Sequence, residues 1–164
     1  MAFPQPLRTQ SGGAAAEAGV SVTQTTSPSG QALRRAQLFW EQSNQDIRAA
    51  KDKLKRAPLE SAYLSVQAAL NALTVVSYLN GKFQLPNFST ARMAAEAAGV
   101  DSRFETLREA CEALEAVQHR SPFEADPDPV ALADLGKTSF DHGRHVIDSV
   151  RGYLKEHQKR FFSP

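Results

Sequence analysis

One cysteine, Cys111, stands alone among 164 residues. No disulfide can close within the chain, so a small cystine-stapled scaffold and a multi-cysteine zinc module are both excluded. Charge of one sign is missing too. Nineteen Lys and Arg meet eighteen Asp and Glu for a net charge of +1, which leaves no long-range field to gather nucleic acid, membrane or acidic substrates. There is no Gly-rich phosphate loop and no Gly-x-Ser-x-Gly elbow, so serine and cysteine lack the local frame that makes a nucleophile. Uninterrupted apolar runs fall short of the roughly 20 residues that span a bilayer. The opening Met1-Ala2-Phe3-Pro4-Gln5-Pro6-Leu7-Arg8 lacks the apolar segment of a signal peptide. The expectation is a cytoplasmic protein with no membrane contact and no cofactor. Strand-like alternation is absent as well.

What the sequence does contain is helical periodicity. Leu33, Ala36, Trp40, Ser43, Ile47, Ala50, Leu54 and Ala57 recur at steps of three and four, as do Phe140, Gly143, Ile147, Val150, Leu154, His157 and Phe161. Such stripes need burial against one another. They predict an all-α fold, an up-and-down antiparallel bundle of four to five helices. Residues 1–30, rich in Gly, Ala, Ser, Thr, Gln and Pro, bury too little apolar surface to offset their ordering entropy and are expected to form a disordered tail. Residues 31–162 then make one helical-bundle domain.

Pro58 ends a first helix predicted over 31–57, whose outer face mixes both charges and whose last turn is basic, as the helix dipole favours. A second helix over 59–80 is apolar on most sides, which places it in the middle of the bundle, and Asn80-Gly81 closes it. After a loop over 82–88, Ser89 caps a short helix over 90–98 that Gly99 stops, and Asp101 caps another over 102–119. Residues 121–129, with three prolines, form a stiff connector. The last helix, over 130–162, is expected to bend or break near Gly136. Cys111 lies on a predicted apolar face and reads as a small core residue.

Two clusters in the last helix are candidates for chemistry. His142 and His145 share a face beside Asp141, so a metal site is one alternative, provided that His119 or Glu124 completes it. The usual bundle signatures, a Glu three residues before a His on two helices or a His pair spaced by four, are absent. Arg144, Lys155 and Lys159 lie near the same face as Arg151 and are candidate phosphate or nucleic-acid contacts. Helix-dipole complementarity alone also accounts for them.

Residues 40–54, followed by Ser61-Ala62-Tyr63-Leu64-Ser65-Val66-Gln67-Ala68-Ala69-Leu70-Asn71-Ala72-Leu73 and then Asn80-Gly81, resemble the HEPN domain, a small helical bundle. In that family a helix ending in a basic run precedes a tyrosine- and alanine-rich helix and a glycine. The resemblance covers residues 31–81 closely and the remainder in helix order. It implies a homodimeric binding module for RNA, a nucleotide or a protein partner, such as the nucleotidyltransferase that many members accompany in toxin–antitoxin pairs. Active members carry an arginine followed after four to six residues by a histidine, forming a metal-independent ribonuclease site across a dimer. Arg151-Gly152-Tyr153-Leu154-Lys155-Glu156-His157 matches that pattern. By the resemblance Arg151 would hold a phosphate and His157 would transfer a proton. The match sits late in the terminal helix, without the polar residue usual after the arginine, so a non-catalytic member is the leading expectation and the ribonuclease the alternative. A second alternative is a metal-binding bundle, for which the chain also resembles the DinB bundles.

Overall fold

Ser29 begins the described fold by turning its hydroxyl back onto the chain. Its Oγ accepts from the Ala32 amide at 3.2 Å, satisfying one of the free N–H groups at the start of α1 (Gly30–Lys53). The computed structural model describes residues 28–82, 89–120 and 128–163. The tail expected over 1–30, the loop over 82–88 and the connector over 121–129 therefore fall largely outside the described residues. Five α-helices and one 3-10 segment follow one another, and no strand occurs among the described residues.

α1 stops four residues short of the position expected from Pro58. Its chain instead runs through turns in which the Leu54 amide donates to Lys51 O and the Ala57 amide to Lys53 O. Pro58 then opens α2 (Pro58–Leu79), a position where its missing N–H costs nothing. Phe39 stacks on Tyr78, and the Ser43 and Ser61 hydroxyls donate to Ala68 O and Ala50 O, both at 2.7 Å. These pairings fix α1 and α2 as an antiparallel hairpin. The buried hydroxyls spend their polarity on backbone carbonyls rather than leaving it unpaired.

α2 is the central helix. Ala62, Ala68, Ala69, Ala72 and Val75 have no exposed surface, because small side chains let neighbouring helices approach it from several sides. Tyr63, one position after the wholly buried Ala62, is exposed. Gly81, with φ 67°, supplies the left-handed residue that ends the helix. By length and hydropathy α2 is the one helix among the described residues capable of crossing a membrane, contrary to the count of uninterrupted runs. In the fold 61% of its most apolar window is covered by the rest of the bundle.

α3 (Thr90–Ala98) is capped by Ser89 Oγ at 3.1 Å from the Arg92 amide. The helix expected over 102–119 divides into a 3-10 segment (Ser102–Leu107) and α4 (Arg108–Gln118). Asp101 caps the former through the Arg103 amide at 2.9 Å. Thr90, fully buried, donates to Cys111 O at 2.7 Å and so ties α3 to α4.

α5 (Pro129–His157) is a single uninterrupted helix. The break expected at Gly136 does not occur. That glycine is buried where α5 crosses Pro58 of α2, and the tertiary contact offsets its poor helix propensity. α5 approaches Pro58 at Gly136, Ser65 at Gly143 and Asn80 at Tyr153. α2 and α5 are therefore parallel neighbours, while α1 is antiparallel to both. α3, the 3-10 segment and α4 return the chain between these two, from the C-terminal end of α2 back to the start of α5, which is why both helices run the same way in the bundle.

His157, expected on the buried stripe, is exposed at the last position of α5. Phe161 is buried, as expected, but by a different route. The chain turns after Gln158, and Phe161 returns to Trp40 with ring centroids 6.4 Å apart.

Cys111 is wholly buried, and burial followed by the nearby Glu115 charge pushes its thiol up to about 12. With almost no thiolate and no access, it should resist an aromatic disulfide reagent in the native protein and react promptly in denaturant. Fast labelling of the folded protein would show that the α3–α4 corner opens.

Candidate functional site

The antiparallel approach of α1 to the C-terminal half of α5 leaves an open groove of about 500 Å³. α1 lines it with Trp40, Glu41, Asn44, Gln45 and Arg48. α5 contributes Arg151 and Lys155, and the segment after α5 contributes Phe162. These positions follow from the helical period. Trp40, Asn44 and Arg48 lie one turn apart, as do Arg151 and Lys155.

Trp40 forms the floor and is 9% exposed. The Arg151 guanidinium lies 5.6 Å from its ring centroid, within the range of a cation–π contact. Arg151 also donates to Asp148 Oδ1 at 3.0 Å and to Asn44 Oδ1 at 3.3 Å, while the Asn44 amide group donates to Trp40 O at 2.7 Å. Arg151 is thus held in place by three neighbours. Phe162 sets its ring edge-on to Trp40 at 6.2 Å and is 47% exposed. Gln37 anchors the same segment by donating to Phe161 O at 2.9 Å. Around these fixed groups, Arg48, Lys155 and Glu41 enter no hydrogen bond or ion pair among the described residues. The groove therefore offers two uncommitted cations, one uncommitted carboxylate and an exposed phenyl ring.

His157 points elsewhere. It stands six positions from Arg151, roughly 120° around the helix axis. Its Nε2 lies 3.1 Å from Asp101 Oδ2, and its ring centroid 5.1 Å from that of Tyr153. Asp101 also accepts from the Arg103 amide and Nε, both at 2.9 Å, and Arg103 pairs in turn with Glu156. Burial works to raise the Asp101 pKa, but the Arg103 amide, the Arg103 guanidinium and His157 together outweigh it and hold the carboxyl below its ordinary value. This network joins the 3-10 segment to the end of α5. Within one chain it does not meet the groove, so Arg151 and His157 are not brought together.

The remaining candidates separate in the same way. Arg144 is exposed, 5.9 Å over the Phe140 ring, and takes no part in the groove. Lys159 borders a different depression, beside Pro28, Leu33 and His157. Of the three expected phosphate contacts only Lys155 lies in the groove. His142 is half-buried and His145 exposed, and Asp141 is engaged by Lys137 at 2.8 Å. Among the described residues no three His, Cys, Asp or Glu side chains assemble into a potential metal site, and Glu124 lies outside them.

Arg48 and Glu41 are not marked by the sequence, which leaves Phe162, beside Phe161, open between a core anchor and an exposed adhesive end, of which the structure shows the exposed one. The outer face of α1 reads as ordinary solvated charge, and Phe162 lies beyond the last helical turn. The available signal is the spacing of Glu41, Gln45 and Arg48 alongside the single tryptophan. No family model, curated protein or solved structure matches this chain.

Proposed function

We propose that the chain is a non-catalytic, HEPN-like binding module whose α1–α5 groove holds RNA or a nucleotide. The observation that carries this reading is the placement of Arg48, Arg151 and Lys155 around an exposed phenyl ring on a tryptophan floor. Arg48 and Lys155, which find no internal partner, suit phosphate, Arg151 is held beside them by Asp148, Asn44 and Trp40, and an accessible aromatic face suits an unpaired base. Near-zero net charge means that affinity arises locally, from these few groups, rather than from a field over the whole surface. Homodimerisation belongs to the same reading, and Leu38 and Tyr63, both exposed on the α1–α2 hairpin, offer apolar contacts for it.

The absence of catalysis is supported by the different engagements of Arg151 and His157. One observation favours the ribonuclease alternative. Asp101 orients His157 as an acid–base residue is oriented elsewhere, and a second copy of the chain would have to bring the arginine.

Fluorescence anisotropy with a short single-stranded RNA, in a chelator, tests both. Arg48→Ala and Lys155→Ala should each weaken binding by roughly tenfold at low salt and flatten its salt dependence, since each removes one phosphate contact. Unchanged affinity in both variants would remove the groove from the function. Cleavage of the RNA by the wild type, lost in His157→Ala, would replace the binding module by the ribonuclease.

A further inference from the structure

The groove has a polarity along its length. Glu41, Gln45 and Arg48 form one stripe on α1, and seven helical rises put Glu41 and Arg48 roughly 10 Å apart along the axis. Arg151 donates to Asn44, so it stands toward the middle of that stripe. Lys155, one turn further along the antiparallel α5, stands level with Trp40 and Glu41, where Phe162 also closes the groove. One end therefore presents the Arg48 guanidinium, with that of Arg151 between it and the Trp40 ring. The other presents an exposed phenyl ring, a carboxylate without a partner and a lysine.

We propose that the groove accepts one nucleotide in a single orientation, phosphate toward Arg48 and Arg151 and base toward Phe162, and that Glu41 makes it prefer guanine. This deepens the nucleotide reading above and rests on it. A carboxylate only accepts hydrogen bonds, through two oxygens side by side. Its charge offsets that of Lys155 beside it, whereas no carboxylate in the groove stands beside Arg48, so the phosphate is drawn toward Arg48 and Arg151. Guanine alone among the common bases offers two adjacent donors, its ring N–H and exocyclic amine, matching both oxygens at once. Adenine and cytosine each set an acceptor nitrogen beside the amine, and uracil flanks its one N–H with carbonyl oxygens, so each brings lone pairs toward Glu41. Gln45, next along the stripe, lies between the base end and the phosphate end.

The chain supplies its own probe, since Trp40 is the only tryptophan and forms the groove floor. GMP, AMP, UMP and inorganic phosphate would be titrated against the full chain by tryptophan fluorescence, with isothermal calorimetry as a second readout, for the wild type, Glu41→Gln and Phe162→Leu. GMP should bind roughly tenfold tighter than AMP or UMP, the scale of one charge-assisted hydrogen bond at an accessible site. Glu41→Gln should abolish that preference and leave AMP affinity unchanged or improved. Phe162→Leu should weaken every nucleotide while leaving inorganic phosphate unaffected.

Equal affinity for the three nucleotides, or a GMP preference that survives in Glu41→Gln, overturns the selection by Glu41 while the nucleotide groove stands. Inorganic phosphate binding as tightly as GMP overturns the assigned base end. No binding of any nucleotide in either readout, together with no binding of RNA, removes the underlying reading as well.

Discussion

Replacing Phe104 by alanine is expected to cost about 3–5 kcal/mol of folding free energy, the range for emptying a buried phenyl site. Phe104 is 1% exposed, and its ring lies 5.5 Å from that of Tyr153 at 57°. It belongs to the 3-10 segment Ser102–Leu107, an element too short and too poorly bonded to persist unless its side chains are docked. Tyr153 in turn is 4% exposed and accepts through its hydroxyl from the Asn80 side chain at 3.2 Å. Loss of the phenyl ring would therefore leave a cavity beside the α2–α5 contact rather than at an edge that can collapse. Urea denaturation followed by far-ultraviolet circular dichroism measures the loss. A change below about 1 kcal/mol, well under the usual range, would mean that the Asp101–Arg103–Glu156–His157 network, not the ring, holds the segment in place.

Gly136→Val should be comparably damaging for the opposite reason. A Cβ at position 136 would stand 2.8 Å from both the Cβ and the carbonyl oxygen of Pro58. Neither of those atoms belongs to a side chain that can rotate away, so α5 would have to leave α2. Overpacking of this kind costs typically 1–3 kcal/mol and sometimes more, and a second branch on a backbone contact puts this case near about 3 kcal/mol or above. Gly152→Ala makes the control. Its new Cβ would meet Arg103 Nη1 at 3.1 Å, the far end of a long flexible side chain, and alanine improves helix propensity by about 1 kcal/mol. Parallel denaturation curves of the two variants decide the matter. Equal stability of Gly136→Val and the wild type would show that the helices do not meet as closely as the structure places them.

The same crossing explains how the groove arises. Close contact of α5 with α2 at Gly136 and Gly143 sets the path of α5, and the C-terminal half of that helix then passes beside α1 with the bulky Trp40 between them. Phe161 fills the inner side of the gap, and Phe162, the next residue, is left at its mouth. A core anchor and a groove wall are thus adjacent in the chain. Substitutions at Phe161 would report on folding, whereas those at Phe162 would report on binding.

Periodicity alone determined that this chain is helical, that α2 is central, and that Trp40, Cys111 and Leu154 are buried, because burial of one helix face is an along-chain property with a fixed step. Cap chemistry placed the starts of α3 and of the 3-10 segment, since Ser89 and Asp101 act on amides two or three residues away. The division of 102–118, the unbroken course of α5 through Gly136 and the parallel run of α2 and α5 were decided by tertiary contact. Local propensity is worth about 1 kcal/mol per residue or less, and a packed helix crossing outweighs it. The groove belongs to the second kind as well. Glu41 and Arg48 lie more than 100 residues from Lys155 and Phe162, and only the angle and rotation of α1 against α5 bring the two pairs to one site. His157 shows the converse: its three-and-four spacing predicted burial, yet α5 ends at that residue and the chain turns away after it, leaving the imidazole at the surface against Asp101 and Tyr153.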